Sequence, residues 1–202
     1  MILSPALPRL TSPVKVVIVE FEFLGDRPVL DFVATVAERG TTNEDKLQDP
    51  ADLAAWIAQS GIVDQAPKIT TAQFEHAKEV REALFRILSG LVDDAWPRPD
   101  DRSLINAVAV NRPTLRLTSS GGVHRSGDIE AVLGVLAYDC LELFDSPDRE
   151  ALHWCADPKC TRLFIDRSRG LRRRWCGMKG CGDRAKAAAY RERIRTRTAA
   201  PT

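Results

Sequence analysis

Four of the five cysteines fall within 27 residues, as Cys155-x4-Cys160 and Cys176-x4-Cys181 with 15 residues between the pairs. Thiolates paired in this way supply two edges of a tetrahedron, the geometry that a four-cysteine zinc site requires. A four-residue spacer is longer than the usual two but within the range structural zinc ligands use. Four protein ligands leave no position for water or substrate. The chemistry expected of Cys155, Cys160, Cys176 and Cys181 is therefore to hold one structural Zn2+. His153 could stand in for one of the four, whereas Cys140 lies in an apolar stretch and reads as core. The segment is short, basic and polar, so metal is expected to provide much of its stability.

Catalytic chemistry finds little footing. His76, His124 and His153 lie in unrelated contexts, and the chain has no HExxH, no Gly-rich phosphate loop and no G-x-S-x-G elbow. An enzyme is not expected. The net charge of +1 conceals a polarised chain. Residues 1–158 carry 15 Lys and Arg against 25 Asp and Glu, a balance of −10, while residues 159–202 carry 14 against 3, a balance of +11. An acidic body with a basic tail is a common layout for nucleic-acid contact, although the same polarity would let the two halves attract each other.

DNA is the expected partner of that tail. Arg172, Arg173 and Arg174 are consecutive, and Arg184, Arg191 and Arg195 recur at spacings of 7 and 4 that share one helical face. Lys186, Arg193 and Arg197 form a neighbouring face. Such density suits phosphate contacts that release counterions, and arginines near a helix start can reach guanine edges. A solvated charged helix is the plainer alternative. Two other readings stand beside it: a zinc-stabilised adaptor for a protein or RNA, and a thiol sensor that sheds zinc on oxidation.

These residues need a scaffold. Met1–Pro13 has no basic n-region and no cleavage site, and no apolar run approaches the ~20 residues that span a bilayer. A cytoplasmic protein without membrane contact is expected, with its cysteines as thiolates rather than disulfides. Residues 14–23 read as a strand, and Pro28 opens a helix over PVLDFVATVAER. Asp49 caps a helix that Gly61 stops, and Trp56 within it reads as core. Thr70-x-x-Gln73 is a capping box for a helix over about 71–89, with Phe74, Ala77, Val80, Leu84, Ile87 and Leu88 on its apolar stripe and Gly90 near its end. WPRPDD is a linker before a helix at SLINAVAVN, TLRLTSSGGVHRS forms a β-hairpin, and Ile129–Phe144 is an apolar helix. Beyond 150, LFID (163–166) and RRRW (172–175) can pair as a hairpin, and a helix following Cys181 places its dipole at the last ligand.

The fold expected is α+β: a mostly helical N-terminal body with small β-hairpins, followed by a treble-clef-like zinc finger. Residues 1–19 form an N-terminal extension with the first strand, 20–150 the body, and 151–202 the finger with its basic helix.

The stretch CADPKCTRLFIDRSRGLRRRWCGMKGCGDRAKAAAYRER closely resembles the CGNR-type zinc finger, whose tetrad here reads Cys181-Gly182-Asp183-Arg184. FLGDRPVLDFV, DPADLAAWI, VREALFRIL, LINAV, LRL and DSPDRE are similar to the ABATE domain that precedes such fingers. The resemblance covers about residues 20–195. It implies a stress-responsive transcriptional regulator in which an α+β body of its own fold precedes a DNA-binding treble-clef finger; on this reading the acidic body senses a ligand or mediates assembly. Arg27 and Asp31, in the best-matched N-terminal motif, could line a ligand pocket or instead form an internal ion pair or cap. Two positions depart from the family pattern: Ala34 stands where Asn is frequent, and Asp183 replaces the tetrad Asn.

Overall fold

The computed structural model describes residues 20–198. The strand expected over 14–23 falls mostly outside them, and Glu20–Leu24 belong to no strand. The first helix, α1 (Pro28–Val33), is shorter than the sequence implies. Thr35 turns its hydroxyl back onto the Phe32 carbonyl at 2.7 Å. The chain then leaves the helix to pair β1 (Val36–Ala37) with β2 (Glu44–Asp45). β-branched Thr and Val in succession favour that exit.

Local signals place the next helices well. α2 (Pro50–Ser60) is capped by Asp49, whose carboxylate accepts from the amides of Ala51 and Asp52, and ends at Gly61 in the left-handed region. α3 (Thr71–Val92) opens on the reciprocal Thr70–Gln73 capping box. It runs past Gly90 because that glycine does not cap the helix. The loop after α3 folds back there, Ala95 donating its amide to the Gly90 carbonyl at 2.7 Å. A methyl group at Gly90 would lie 2.9 Å from the Ala95 carbonyl oxygen. α4 (Pro99–Val108) takes Pro99, Asp100 and Asp101 into its first turn, so the expected linker is partly helix. β3 (Thr114–Leu117) and β4 (Val123–Ser126) form the expected hairpin, and α5 (Ile129–Phe144) the expected apolar helix.

α1, α3, α4 and α5 enclose the core, with Trp56 of α2 and Phe32 among its largest fully buried side chains. Every stripe residue anticipated on α3 is buried, as is Cys140. Its thiol is pushed up to about 12 by burial, which suits an inert core residue. Arg81 is also buried on α3, where its guanidinium meets Asp45 at 2.7 and 2.8 Å and Thr35 at 3.1 Å, tying the β1–β2 corner to the helix.

The C-terminal part differs from expectation in one pairing. β6 (Leu163–Ile165) pairs with β5 (Leu152–Trp154), upstream of the first cysteine pair, and not with residues 172–175. The knuckle Cys155–Cys160 is therefore the turn of this hairpin. Residues 172–175 instead form a loop arranged by Asp166, which accepts from the amides of Ser168 and Arg173, both at 2.7 Å. β6 alternates in the usual way for a strand. Leu163 and Ile165 join the main core, whereas Phe164 packs with Cys155, Cys176, Cys181, Cys160 and Trp175.

Candidate metal centre and basic surface

The four sulfurs expected to hold zinc converge, all within 4.8 Å of one another. Cys160–Cys176 and Cys176–Cys181 are each separated by 3.7 Å between sulfurs. A tetrahedron with Zn–S bonds of about 2.3 Å has edges of roughly 3.8 Å, so these separations fit one zinc ion and exceed any disulfide bond. The thiols themselves argue for a cation. Cys160 is pushed down to about 5, first by the hydrogen bond from Cys176, while burial and the charge on Cys160 push Cys181 up to about 12. One thiolate thus discourages the next, a repulsion that a divalent cation at their centre would relieve. The residues present fit a closed, structural Zn2+ site.

Each ligand has a positioning element. Cys155 follows β5 and donates its amide to the Arg162 carbonyl at 3.0 Å. Asp157 steadies the first knuckle by accepting from the amide of Lys159 at 3.1 Å. Cys176 donates its own amide to the Cys155 sulfur at 3.4 Å, an N–H···S bridge between the knuckles. Cys181 closes a tight turn, Met178–Gly182, in which Gly180 has φ +84, and α6 (Asp183–Thr198) starts two residues later. His153 lies outside the sulfur cluster, its ring edge-on to Phe164.

Arg184 braces this centre from outside the four sulfurs. Its Nε donates to Asp157 at 2.6 Å and its Nη2 lies 3.1 Å from the Cys181 sulfur. One guanidinium therefore ties the first knuckle to the last ligand and places positive charge against thiolate. Sequence reasoning missed Asp157 because its partner lies 27 residues away. Burial opposes ionisation of Asp157, but the Lys159 amide and Arg184 hold it below the usual range.

Arg173 is likewise committed within the protein. It stacks on Phe164 at 4.5 Å and donates to Asp26 at 2.7 Å, to the Leu24 carbonyl at 3.1 Å and to the Cys176 carbonyl. Arg172 is exposed with no carboxylate partner among the described residues, and Arg174 lies over Trp175 at 5.4 Å. On α6 every residue from Asp183 to Arg197 is exposed except Ala185. Lys186 sits 3.8 Å from Asp183, and Arg195 is 2.9 Å from Glu192. Arg191, Arg193 and Arg197 have no carboxylate partner among the described residues.

Arg27 and Asp31 have their polar groups used internally. Arg27 faces Asp139, Glu142 and Asp148, and Asp148 also pairs with Arg167 of the finger. Asp31 accepts from the amides of Leu24 and Gly25, both at 2.8 Å. Burial raises its carboxyl to about 6. Ala34 lines a cleft of about 160 Å³ between the body and the knuckles, with Glu38, Lys159, Cys160 and Lys179.

Residues 26–147 match the ABATE family, whose description reads "Putative stress-induced transcription regulator". The chain belongs to that family. Residues 152–194 match the CGNR zinc finger, so the four converging cysteines, which could hold one metal ion, lie in an ABATE protein's C-terminal finger. No curated protein matches the chain. The residues left between the two matches, Asp148 to Ala151, include the carboxylate shared by Arg27 and Arg167. Among the described residues no helix is long and apolar enough to cross a membrane.

Proposed function

We propose that this ABATE protein is a DNA-binding transcriptional regulator, with the zinc finger presenting α6 and the loop at 172–174 to the duplex and the body sensing a small effector. The observation that carries this reading is α6 itself. Exposed along its length, even at Tyr190 and Ile194, α6 buries no apolar stripe in its own protein, and its charge has to be answered elsewhere. Here the charge is largely arginine, which suits phosphate through bidentate, always-ionised contacts.

We assign the basic residues by whether their guanidiniums are already engaged within the protein. Arg172, Arg174, Lys186, Arg191 and Arg195 contact DNA, chiefly phosphates. Arg173 and Arg184, whose guanidiniums already hold the finger's fold, set the position of their neighbours and reach DNA only through remaining N–H groups. Asp183 starts α6, where a carboxylate suits the helix dipole, and restrains the approach of phosphate to that first turn.

Fluorescence anisotropy with zinc-loaded protein and a pool of duplexes at several salt concentrations tests the reading. Affinity should fall steeply with salt, and each phosphate-contacting residue replaced by alanine should lower the slope of log K against log salt by about one. Zinc-loaded protein that binds no duplex at low salt would sink it. A protein or RNA that co-purifies in place of DNA would favour the adaptor reading.

A further inference from the structure

The loop between α3 and α4 holds an aromatic side chain where no fold requirement explains it. Trp96 is 77% exposed, although tryptophan burial is among the strongest contributions a core can receive. Its loop is fixed rather than free, since Ala95 closes onto Gly90 at 2.7 Å. Beside the indole lies a groove of about 180 Å³ where α3, α4 and α5 meet. Ile87 and Ile105 form its floor, and Leu141, Phe144, Trp96 and Pro97 its walls. An apolar cavity of about 150 Å³ is enough to take a benzene ring. This groove therefore has room for one ring and little more.

Two polar side chains stand at its rim. Arg102 and Asn106 lie one turn apart on α4 and share a face of that helix. Neither side chain has a hydrogen-bond or ion-pair partner among the described residues. Asp101, the adjacent carboxylate, is engaged by Arg86 at 2.6 and 2.9 Å and does not neutralise Arg102. An apolar slot with an aromatic wall, and with a cation and an amide donor at its rim, is complementary to a ring bearing a carboxylate.

We propose that this groove is the effector site of the body and takes a small aromatic carboxylate, its ring between Trp96, Phe144 and Leu141 and its carboxylate on Arg102 and Asn106. The site is distinct from Arg27 and Asp31, and from the finger. The effector role rests on the regulator reading above, but binding itself does not depend on it.

The test uses the zinc-loaded full chain labelled with 5-fluorotryptophan, and the Trp96 19F resonance is assigned from Trp96→Phe. Benzoate and benzyl alcohol serve as probes. Benzoate should shift the Trp96 signal saturably and selectively among the four tryptophans. Arg102→Gln, an exposed change that leaves the core alone, should weaken benzoate about tenfold and leave benzyl alcohol unchanged. Leu141→Trp, which fills the groove from its exposed edge, should abolish both. No saturable shift up to 10 mM benzoate, on the order of the weakest affinities of interest, overturns the proposal, as does a benzoate affinity indifferent to Arg102→Gln. Concentration-dependent self-association that shifts Trp96 without probe would show a second copy as the occupant and overturn it too. Anisotropy on the same samples separates the two readings: DNA binding without benzoate binding ends this proposal alone, and benzoate binding without DNA binding ends the regulator reading alone.

Discussion

Arg184 shows how much a single side chain can organise. Its two contacts, to Asp157 at 2.6 Å and the Cys181 sulfur at 3.1 Å, join residues from opposite ends of the finger. Replacing such outer partners typically costs 10–100-fold in metal affinity. Arg184→Gln should accordingly release zinc to a chromogenic chelator at least about tenfold faster. Arg184→Lys should rescue little, because an ammonium cannot reach both partners in one plane. Equal release rates for wild type and both variants would remove Arg184 from the centre.

Asp31 offers a second test at this scale. Its carboxyl is raised from 3.8 to about 6 by burial, so the folded state binds the proton more tightly than the unfolded chain. The sign follows: stability from this group is present below pH 4, is lost as pH climbs through 4 to 6, and stays level above. Asp31→Asn keeps an oxygen for the Leu24 and Gly25 amides while removing the charge. The variant should flatten that part of the stability–pH curve and gain about 1–2 kcal/mol at pH 8 in urea unfolding.

At the scale of elements, sequence patterns spoke clearly wherever the signal was local. Asp49 with Gly61, and Thr70 with Gln73, fixed helix ends because cap and partner are at most a few residues apart. The four cysteines were legible for the same reason, since each pair forms its knuckle locally. The partner of β6 was not legible. Its choice of β5 over the arginine loop depends on Leu163 and Ile165 finding the body's core, a non-local event. The roles of Arg173 and Arg184 were hidden likewise, since Asp26 and Asp157 lie far off in sequence.

The alternation of β6 makes a prediction that separates its two faces. Ile165→Ala should cost about 2–4 kcal/mol in body unfolding, as large-to-small core changes do, and change zinc affinity little. Phe164→Ala should instead loosen the cysteine cluster and accelerate zinc loss, with a smaller effect on the helical transition. If both variants gave one indistinguishable profile, the two-faced strand would be the wrong description.

Taken whole, the molecule joins an acidic body to a basic finger through a lattice of ion pairs: Arg162 with Glu22, Arg173 with Asp26, and Arg167 with Asp148, which Arg27 also holds. The charge polarity visible in the sequence is thus partly spent inside the protein, while α6 keeps its share for the outside. Zinc removal by a chelator should melt the finger and also lower the body's melting temperature by a few degrees, a shift that a 1 kcal/mol change produces in a chain of this size. Circular dichroism would follow the helices and absorbance of a cobalt-substituted sample the sulfurs. A body transition indifferent to chelation would contradict a shared core.

A consequence follows from the strand that serves two cores. An instrument with a hinged pointer can be recalibrated by its hinge, but one with a pointer cast into the casing turns only when the casing turns. Because Leu163 and Ile165 are set in the body while Phe164 braces the cysteines, α6 inherits its heading from the helices behind it. Reseating Leu163 and Ile165 in the body would therefore turn α6 before it cost the finger its metal.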